Sequence, residues 1–250
     1  MQEYWEIYMK NLEGKPASIL FNAGISMEVD AIRYIYPQVA FVKAKLKEPN
    51  ENGLLSESEQ PEIAYLEDKL EASLIKFRIG KYVGRIFHNG YVTFVYYLQF
   101  TYNWQDFLNF ALDEFTHYEM SSGFQEDEAW NYYHKLLYPT ATQWQIIQNH
   151  KVCDQLRLKE DNLEVPRAIE HKLFFNDPLQ KASIINALEE EGFGILEEIV
   201  DEESQKEGLK FYRIDKPFYT NIDEITLALI EKLSAYDALY DGWETSVVKH

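Results

Sequence analysis

The groups in this chain that could do acid–base, nucleophilic or metal chemistry are six histidines, one cysteine and 42 carboxylates. Their spacing assembles none of the usual arrangements. Cys153 lies between Val152 and Asp154, which suggests a half-buried helix position, so it reads as a structural thiol rather than a nucleophile. His171 shares an apolar strand face with Ile169, Leu173 and Phe175, which predicts a core or rim imidazole rather than a base. His88 precedes Asn89-Gly90 and reads as a turn residue. His117, His134 and His150 could meet in space, but no spacing links them, and His250 ends the sequence. Gly80 and Gly84 have a G-x-x-x-G spacing with no Lys-Ser or Lys-Thr after it, so a tight turn and close packing are expected rather than a phosphate cradle. Nucleophile elbows, H-E-x-x-H runs, C-x-x-C pairs and calcium loops are missing. No catalytic, cofactor-binding or metal-ligating residue is assigned, and a binding protein is expected rather than an enzyme.

The carboxylates carry the strongest signal. The formal net charge is −18 and the pI is near 4.7. Such a chain repels nucleic-acid phosphates and anionic lipid and attracts cationic partners, so direct nucleic-acid binding is not expected. The runs Glu189-Glu190-Glu191, Glu197-Glu198 and Asp201-Glu202-Glu203 gather around one helix end and one hairpin. They are either a solvated face or an edge that attracts an Arg/Lys-rich segment. A divalent ion could also collect there, although no ordered ligand spacing is visible. The longest apolar stretches, such as Tyr91 to Phe100, are strand-length, so no membrane span is predicted. The opening Met1 to Lys10 lacks the basic and apolar regions of a signal peptide, and a lone cysteine fits a reducing compartment; the cytoplasm is the expected location.

The elements follow from periodicity. Trp5, Ile7 and Met9 alternate with Tyr4, Glu6, Tyr8 and Lys10, and Glu13-Gly14 then turns the chain into Ala17–Phe21, so a hairpin opens the protein. Ala40, Val42, Ala44 and Leu46 alternate with Lys43, Lys45 and Lys47 in a strand. Ser58 starts a helix, with Pro61 in its first turn and Ile63, Leu66, Leu70, Leu74 and Phe77 on one face. Strands Lys81–Phe87 and Tyr91–Phe100 are joined through Asn89-Gly90, the strongest short hairpin signal. Asn103 caps a helix with Trp104, Phe107, Leu108, Ala111 and Phe115 on one face, and a strand near Tyr118–Phe124 follows. A helical bridge, 128–159, is broken at Tyr138-Pro139. Its aromatics Trp130, Tyr132, Tyr133, Tyr138 and Trp144 are expected to bury the domain–domain contact, or else to form an exposed recognition patch. Beyond Pro166 the order repeats. A strand carries Ile169 to Phe175, and Asp177-Pro178 starts a helix carrying Ala182, Ile185 and Leu188 that Gly192 stops. Strands 193–200 and 209–214 follow. A helix opened by an Asn221/Glu224 capping box carries Ile222, Ile225, Leu229, Leu233 and Tyr236, and a final strand covers 240–248.

The fold expected is thus α+β: two ferredoxin-like (βαββαβ) α/β-sandwich domains with antiparallel sheets and an extra N-terminal hairpin, over residues 1–139 and 140–250.

Several runs carry family resemblance. Gln148-Asn149-His150-Lys151-Val152, Pro166-Arg167-Ala168-Ile169-Glu170-His171, Leu173-Phe174-Phe175, Leu188 to Phe193 and Tyr240-Asp241-Gly242-Trp243-Glu244 resemble the regulator of ribonuclease E activity B family, over about Gln145 to Val247. Trp5-Glu6-Ile7-Tyr8, Gly14 to Ile19, Tyr82-Val83-Gly84-Arg85 and Leu137-Tyr138-Pro139 resemble a companion family, domain of unknown function 695. The first resemblance implies a protein inhibitor that binds the Arg-rich, non-catalytic scaffold region of ribonuclease E. It implies a protein partner with a basic, disordered segment, and no cofactor. The residues nominated for that contact are Glu197, Glu198, Asp201, Glu202, Glu203, Tyr240, Asp241, Trp243 and Glu244. The alternative is a hydrolase or small-ligand sensor with a cleft between the two domains. Neither the role of the first domain nor the oligomeric state is legible.

Overall fold

A computed structural model describes residues 4–249, and the chain divides into two compact units, Met1–Thr140 and Ala141–His250. In the first unit, β1 (Trp5–Leu12) and β2 (Lys15–Asn22) form a hairpin. Its turn residues Glu13 and Gly14 both take positive φ, 52° and 81°, as a two-residue type I′ turn requires. Next come α1 (Val29–Ile32), β3 (Gln38–Lys45), α2 (Gln60–Phe77), β4 (Gly80–His88), β5 (Tyr91–Leu98), α3 (Trp104–Leu112) and β6 (Met120–Glu126). The strands form one six-stranded antiparallel sheet in the order β1-β2-β4-β5-β3-β6. The stretch β4-β5-β3-β6 is the split βαβ order. The N-terminal hairpin extends that same sheet past β4. Gly84 allows this join, because a Cβ there would lie 2.4 Å from the Leu20 carbonyl oxygen.

Both faces of this sheet are covered. On one, Val42, Phe94 and Tyr96 pack against Leu66 and Leu70 of α2 and Phe107 of α3. On the other lies a π-helical turn, Tyr133–Leu137. Trp130 stacks on Tyr97 with ring centroids 3.8 Å apart and donates its indole N–H to the Tyr36 carbonyl. The Tyr133 hydroxyl donates to the Asn22 carbonyl at 2.7 Å. Trp130 and Tyr133 are therefore wholly buried, with these partners in the first unit. The same cover explains β1. Tyr8 packs edge-on against Phe21 and donates to the Leu137 carbonyl, so Glu6 and Tyr8 are buried while Ile7 and Met9 are exposed.

Two helix starts also differ from expectation. Asn103 makes no side-chain cap bond. Ser58 donates to Glu48 instead of capping α2. The residue at the start of α2 is Glu59, only 4% exposed. Its carboxylate accepts from the backbone N–H groups of Lys47 and Glu48 (2.9 and 3.0 Å) and from the Tyr118 hydroxyl (2.8 Å). It binds the end of β3, the start of α2 and the approach to β6 into one corner.

The second unit begins with α4 (Ala141–Leu158), followed by β7 (Arg167–Phe175), α5 (Lys181–Glu190), β8 (Gly194–Val200), β9 (Glu207–Asp215), α6 (Tyr219–Ser234) and β10 (Ala238–Thr245). The order β10-β7-β9-β8, antiparallel throughout, is again the split βαβ arrangement. Leu173, Phe175, Leu209 and Phe211 meet Ile184, Leu188, Leu229 and Leu233 of α5 and α6 in its core. Asp177 accepts from the Leu179 N–H as expected, but opens a 3-10 turn, Pro178–Gln180, before α5. That tighter turn shifts the phase of α5, so Ile184, Ala187 and Leu188 are buried and Ala182 is exposed. The Asn221/Glu224 box is absent. α6 starts three residues earlier, at Tyr219 with Phe218 in the cap position, and Asn221 donates to the Lys216 carbonyl. No helix among the described residues is long and apolar enough to cross a membrane.

Replacing Glu59 with Ala removes the acceptor of the Lys47 and Glu48 backbone N–H groups and one of the two acceptors of the Tyr118 hydroxyl, which keeps Glu62. The expected loss is about 2–4 kcal/mol of stability in the first unit, measured by urea unfolding of the full chain.

Candidate functional site

Three of the signature runs of the second unit are tied to one another and to α6 through buried polar contacts. Asn149 of α4 is wholly buried. Its amide donates to Asp223 (2.9 Å) and Thr226 (2.7 Å) of α6. Its carbonyl oxygen accepts from the Trp243 indole of β10 and from Gln145, both at 2.9 Å. His150 reaches the other Asp223 oxygen at 2.9 Å. On the core face of β7, His171 shares a 2.8 Å hydrogen bond through Nδ1 with the Tyr240 hydroxyl of β10 and stacks on Phe211. At the start of β7, buried Arg167 pairs with Asp161 (2.7 Å) and donates to Thr245. The runs around Asn149, Arg167–His171 and Tyr240–Glu244 thus meet because they lock α4, β7, α6 and β10 together.

Burial sets the chemistry of these groups. Burial, reinforced by the positive charge of Arg213, depresses the His171 pKa to about 3, so the ring is neutral at ordinary pH; its Nε2 has no partner among the described residues. Burial, with Asp223 and Asp154 adding to it, pushes the Cys153 thiol up to about 12. Both match the structural roles read from sequence. Two of the scattered histidines do meet carboxylates: His150 meets Asp223, and His117 meets Glu62 at 2.6 Å. Glu62 also accepts from Lys47 and Tyr118; Lys47 first, then His117 and Tyr118, lower its pKa to about 2. Both imidazoles are close to half exposed (45% and 43% for His117 and His150), so neither pair is shielded from water. They tie elements together and present no nucleophile aligned with a base. No His/Cys/Asp/Glu group able to hold a metal ion occurs among the described residues.

The nominated contact residues fall into two places. β8, with Glu197 and Glu198, is one edge of the sheet, and β10, with Tyr240 to Glu244, is the opposite edge. Tyr240 and Trp243 turn their polar atoms inward to His171 and Asn149. Asp241 and Glu244 are exposed. Glu244 contacts Lys210 of β9 at 3.1 Å and Lys172 of β7 at 3.5 Å, and Lys210 approaches Glu170 at 3.8 Å. Glu197 is in register with Lys210. On the face away from the core, two neighbouring lysines in register, Lys172 and Lys210, are therefore flanked by Glu244 on one side and Glu197 on the other. Phe174 and Tyr212 share this face and lie over Gly208 and Gly194.

The acidic runs are partly compensated, in contrast to their appearance in sequence. Lys181 pairs with Glu198, and Lys232 with Glu191 at 2.6 Å. Asp201 accepts from the Ser204 N–H at 2.6 Å and so shapes its turn. Glu202 and Glu203 are exposed and make no ion pair among the described residues.

Asp223, Thr226 and Glu59 were not singled out by sequence. For Thr226 a signal existed: it sits on the apolar stripe of Ile222, Leu229 and Leu233, where a hydroxyl needs a partner.

The architecture defines a two-unit α+β protein in which each unit is built on a split βαβ sheet. The chain belongs to the Family of unknown function (DUF695), whose family model matches residues 3–138. Residues 146–245 match the family described as Regulator of ribonuclease activity B. No curated protein matches the chain. Among solved structures, an unknown protein from Galdieria sulphuraria aligns at 9% identity over 84% of this chain and 99% of its own, with a TM-score of 0.23. A putative glycine cleavage system transcriptional repressor aligns at 6% identity over 84% and 98%, with a TM-score of 0.26.

His171 makes stability depend on pH. Its folded pKa of about 3 lies below its unfolded value of 6.5. Its contribution is therefore complete above about pH 6.5 and is lost as pH falls toward 3, at most about 1.4 kcal/mol per pH unit. His171→Phe is expected to flatten that acid slope in urea unfolding of the full chain. Cys153 is expected to react with iodoacetamide at neutral pH only after unfolding, as read by mass spectrometry.

Proposed function

We propose that this chain is a non-enzymatic, cytoplasmic, protein-binding regulator of a ribonuclease E-type endonuclease, docking on a basic, disordered scaffold segment of that enzyme. The observation that carries this reading is the match of residues 146–245 to the Regulator of ribonuclease activity B family. The fold gives it a physical basis. The signature aromatics Tyr240 and Trp243 are used to hold the module together, which leaves the exposed carboxylates as the groups that meet a partner. Glu197, Glu198, Glu202 and Glu203 line the β8 edge and its hairpin, and Asp241 and Glu244 mark the other edge. A cationic segment is drawn to such a surface, and rim charges act mainly on the rate of association. The first unit has no part in this reading.

The test is reversal of Glu197, Glu198, Glu202 and Glu203 to Lys in the full chain. Asp201 is kept because it shapes the turn. Each exposed pair is worth about 0.2–1 kcal/mol, so several must change together. Stopped-flow binding to the scaffold segment of ribonuclease E is expected to show slower association and a flatter salt dependence, with an unchanged circular dichroism spectrum. Unchanged affinity and salt slope would return this edge to a solvated face.

A further inference from the structure

A cleft of about 330 Å³ opens in the first unit between β1, the 3-10 turn Ala23–Met27, the C-terminal half of α2 and the start of β4. Small-molecule sites span about 300–1,000 Å³, so the space suits a compact ligand. Its composition is uneven. Trp5 and Tyr82 line it with ring centroids 5.2 Å apart, tilted by 37°. The Tyr82 hydroxyl donates to Glu67 at 2.6 Å, so a ligand meets the ring and not a free phenol. Ile25 and Leu74 add apolar wall.

The polar groups are mostly acceptors. Asn22 is 5% exposed, and its side-chain oxygen has no hydrogen-bond partner among the described residues. An orphaned buried acceptor is costly, and a donor brought by a ligand would satisfy it. Glu28 and Glu71 supply negative charge. The Tyr82 phenol is raised by burial first, then by Tyr96 and Glu71, so the Glu71 charge is felt at the aromatic wall. Among the described residues Lys81 is the one lining cation, and its ammonium lies 5.6 Å from the Tyr36 ring centroid.

We propose that this cleft binds a small organic cation, an alkylammonium or guanidinium on a short apolar arm. Aromatic faces with carboxylates beside them favour a desolvated cation over a neutral or anionic ligand. The cation rests against Trp5 and Tyr82, its N–H groups reach Asn22 and the two carboxylates, and its arm lies along Leu74 and Ile25. Charge-assisted hydrogen bonds to carboxylate hold it in one orientation. This site is independent of the regulator reading, which rests on the second unit.

The full chain is titrated with agmatine and with putrescine by calorimetry and by two-dimensional NMR, with n-butanol as the neutral control and N-acetyl-arginine amide as a peptide side-chain mimic. The expected result is saturable binding of an amine that moves the Trp5 indole and Asn22 side-chain amide signals. Glu71→Gln is expected to weaken it about tenfold, the scale of one charge-assisted contact. Lys81→Met is expected to tighten it by removing a like charge, a gain that a damaged fold would not give. The proposal is overturned if neither amine moves those two signals, if butanol does so equally, or if only the arginine amide binds. It is also overturned if both Glu71→Gln and Lys81→Met leave the affinity unchanged.

Discussion

Asn149 has four hydrogen-bonding positions and every one is used: two N–H donations to Asp223 and Thr226, two acceptances from Trp243 and Gln145. A buried amide tolerates little less, since each unmade bond in the interior costs about 1–3 kcal/mol. The second unit is arranged around that demand. α4 precedes the βαββαβ set and could pack in many ways by its apolar surface alone. The Asn149 bonds fix it against α6 and β10 in one position. Trp243 is held to the same amide, and three residues away along β10 Tyr240 is tied to His171. Rings that look suited to recognition are thereby spent on the interior.

The first unit meets a different constraint. A sheet of six strands carries two broad faces, and the paired helices α2 and α3 cover only one. The chain returns through Trp130, Tyr133 and Leu137 to cover the other, and each of these is completely buried. Their polar atoms find backbone carbonyls at Tyr36 and Asn22, so large apolar rings enter the interior without stranding a donor. Glu59 solves the same problem with a charge, surrounded by three donors.

Much of this was legible in the sequence, and the failures share a cause. Asn89-Gly90 and Glu13-Gly14 announced their hairpins because left-handed backbone selects residue type locally. The strand Ala40 to Leu46 and the stripe Ile63 to Leu70 announced themselves by period. Both strand orders followed from element order. What failed depended on distant contacts. Alternation in β1 did not tell which face is covered: Phe21 and Leu137 lie on the side bearing Tyr8, and Ile7 and Met9 are exposed. Ser58 and Asn221 look like caps, yet each bonds elsewhere. Of the candidate site, the carboxylates were found by charge alone, while their partners Lys181, Lys210 and Lys232 come from other elements. Glu197 and Tyr240 proved to be on opposite edges, which no sequence distance reveals.

The bulge in β8 gives its acidic edge a second meaning. An open sheet edge invites any extended chain to pair with it, a second copy of the same protein included. In β8 the register slips between Ile195 and Glu197, which bends the strand out of line, and Glu197 and Glu198 follow at once. Two such edges cannot lie side by side without setting carboxylate against carboxylate. A lysine-bearing segment meets no such repulsion. One short strand thus combines a bend with two adjacent carboxylates, both of which disfavour pairing between identical edges.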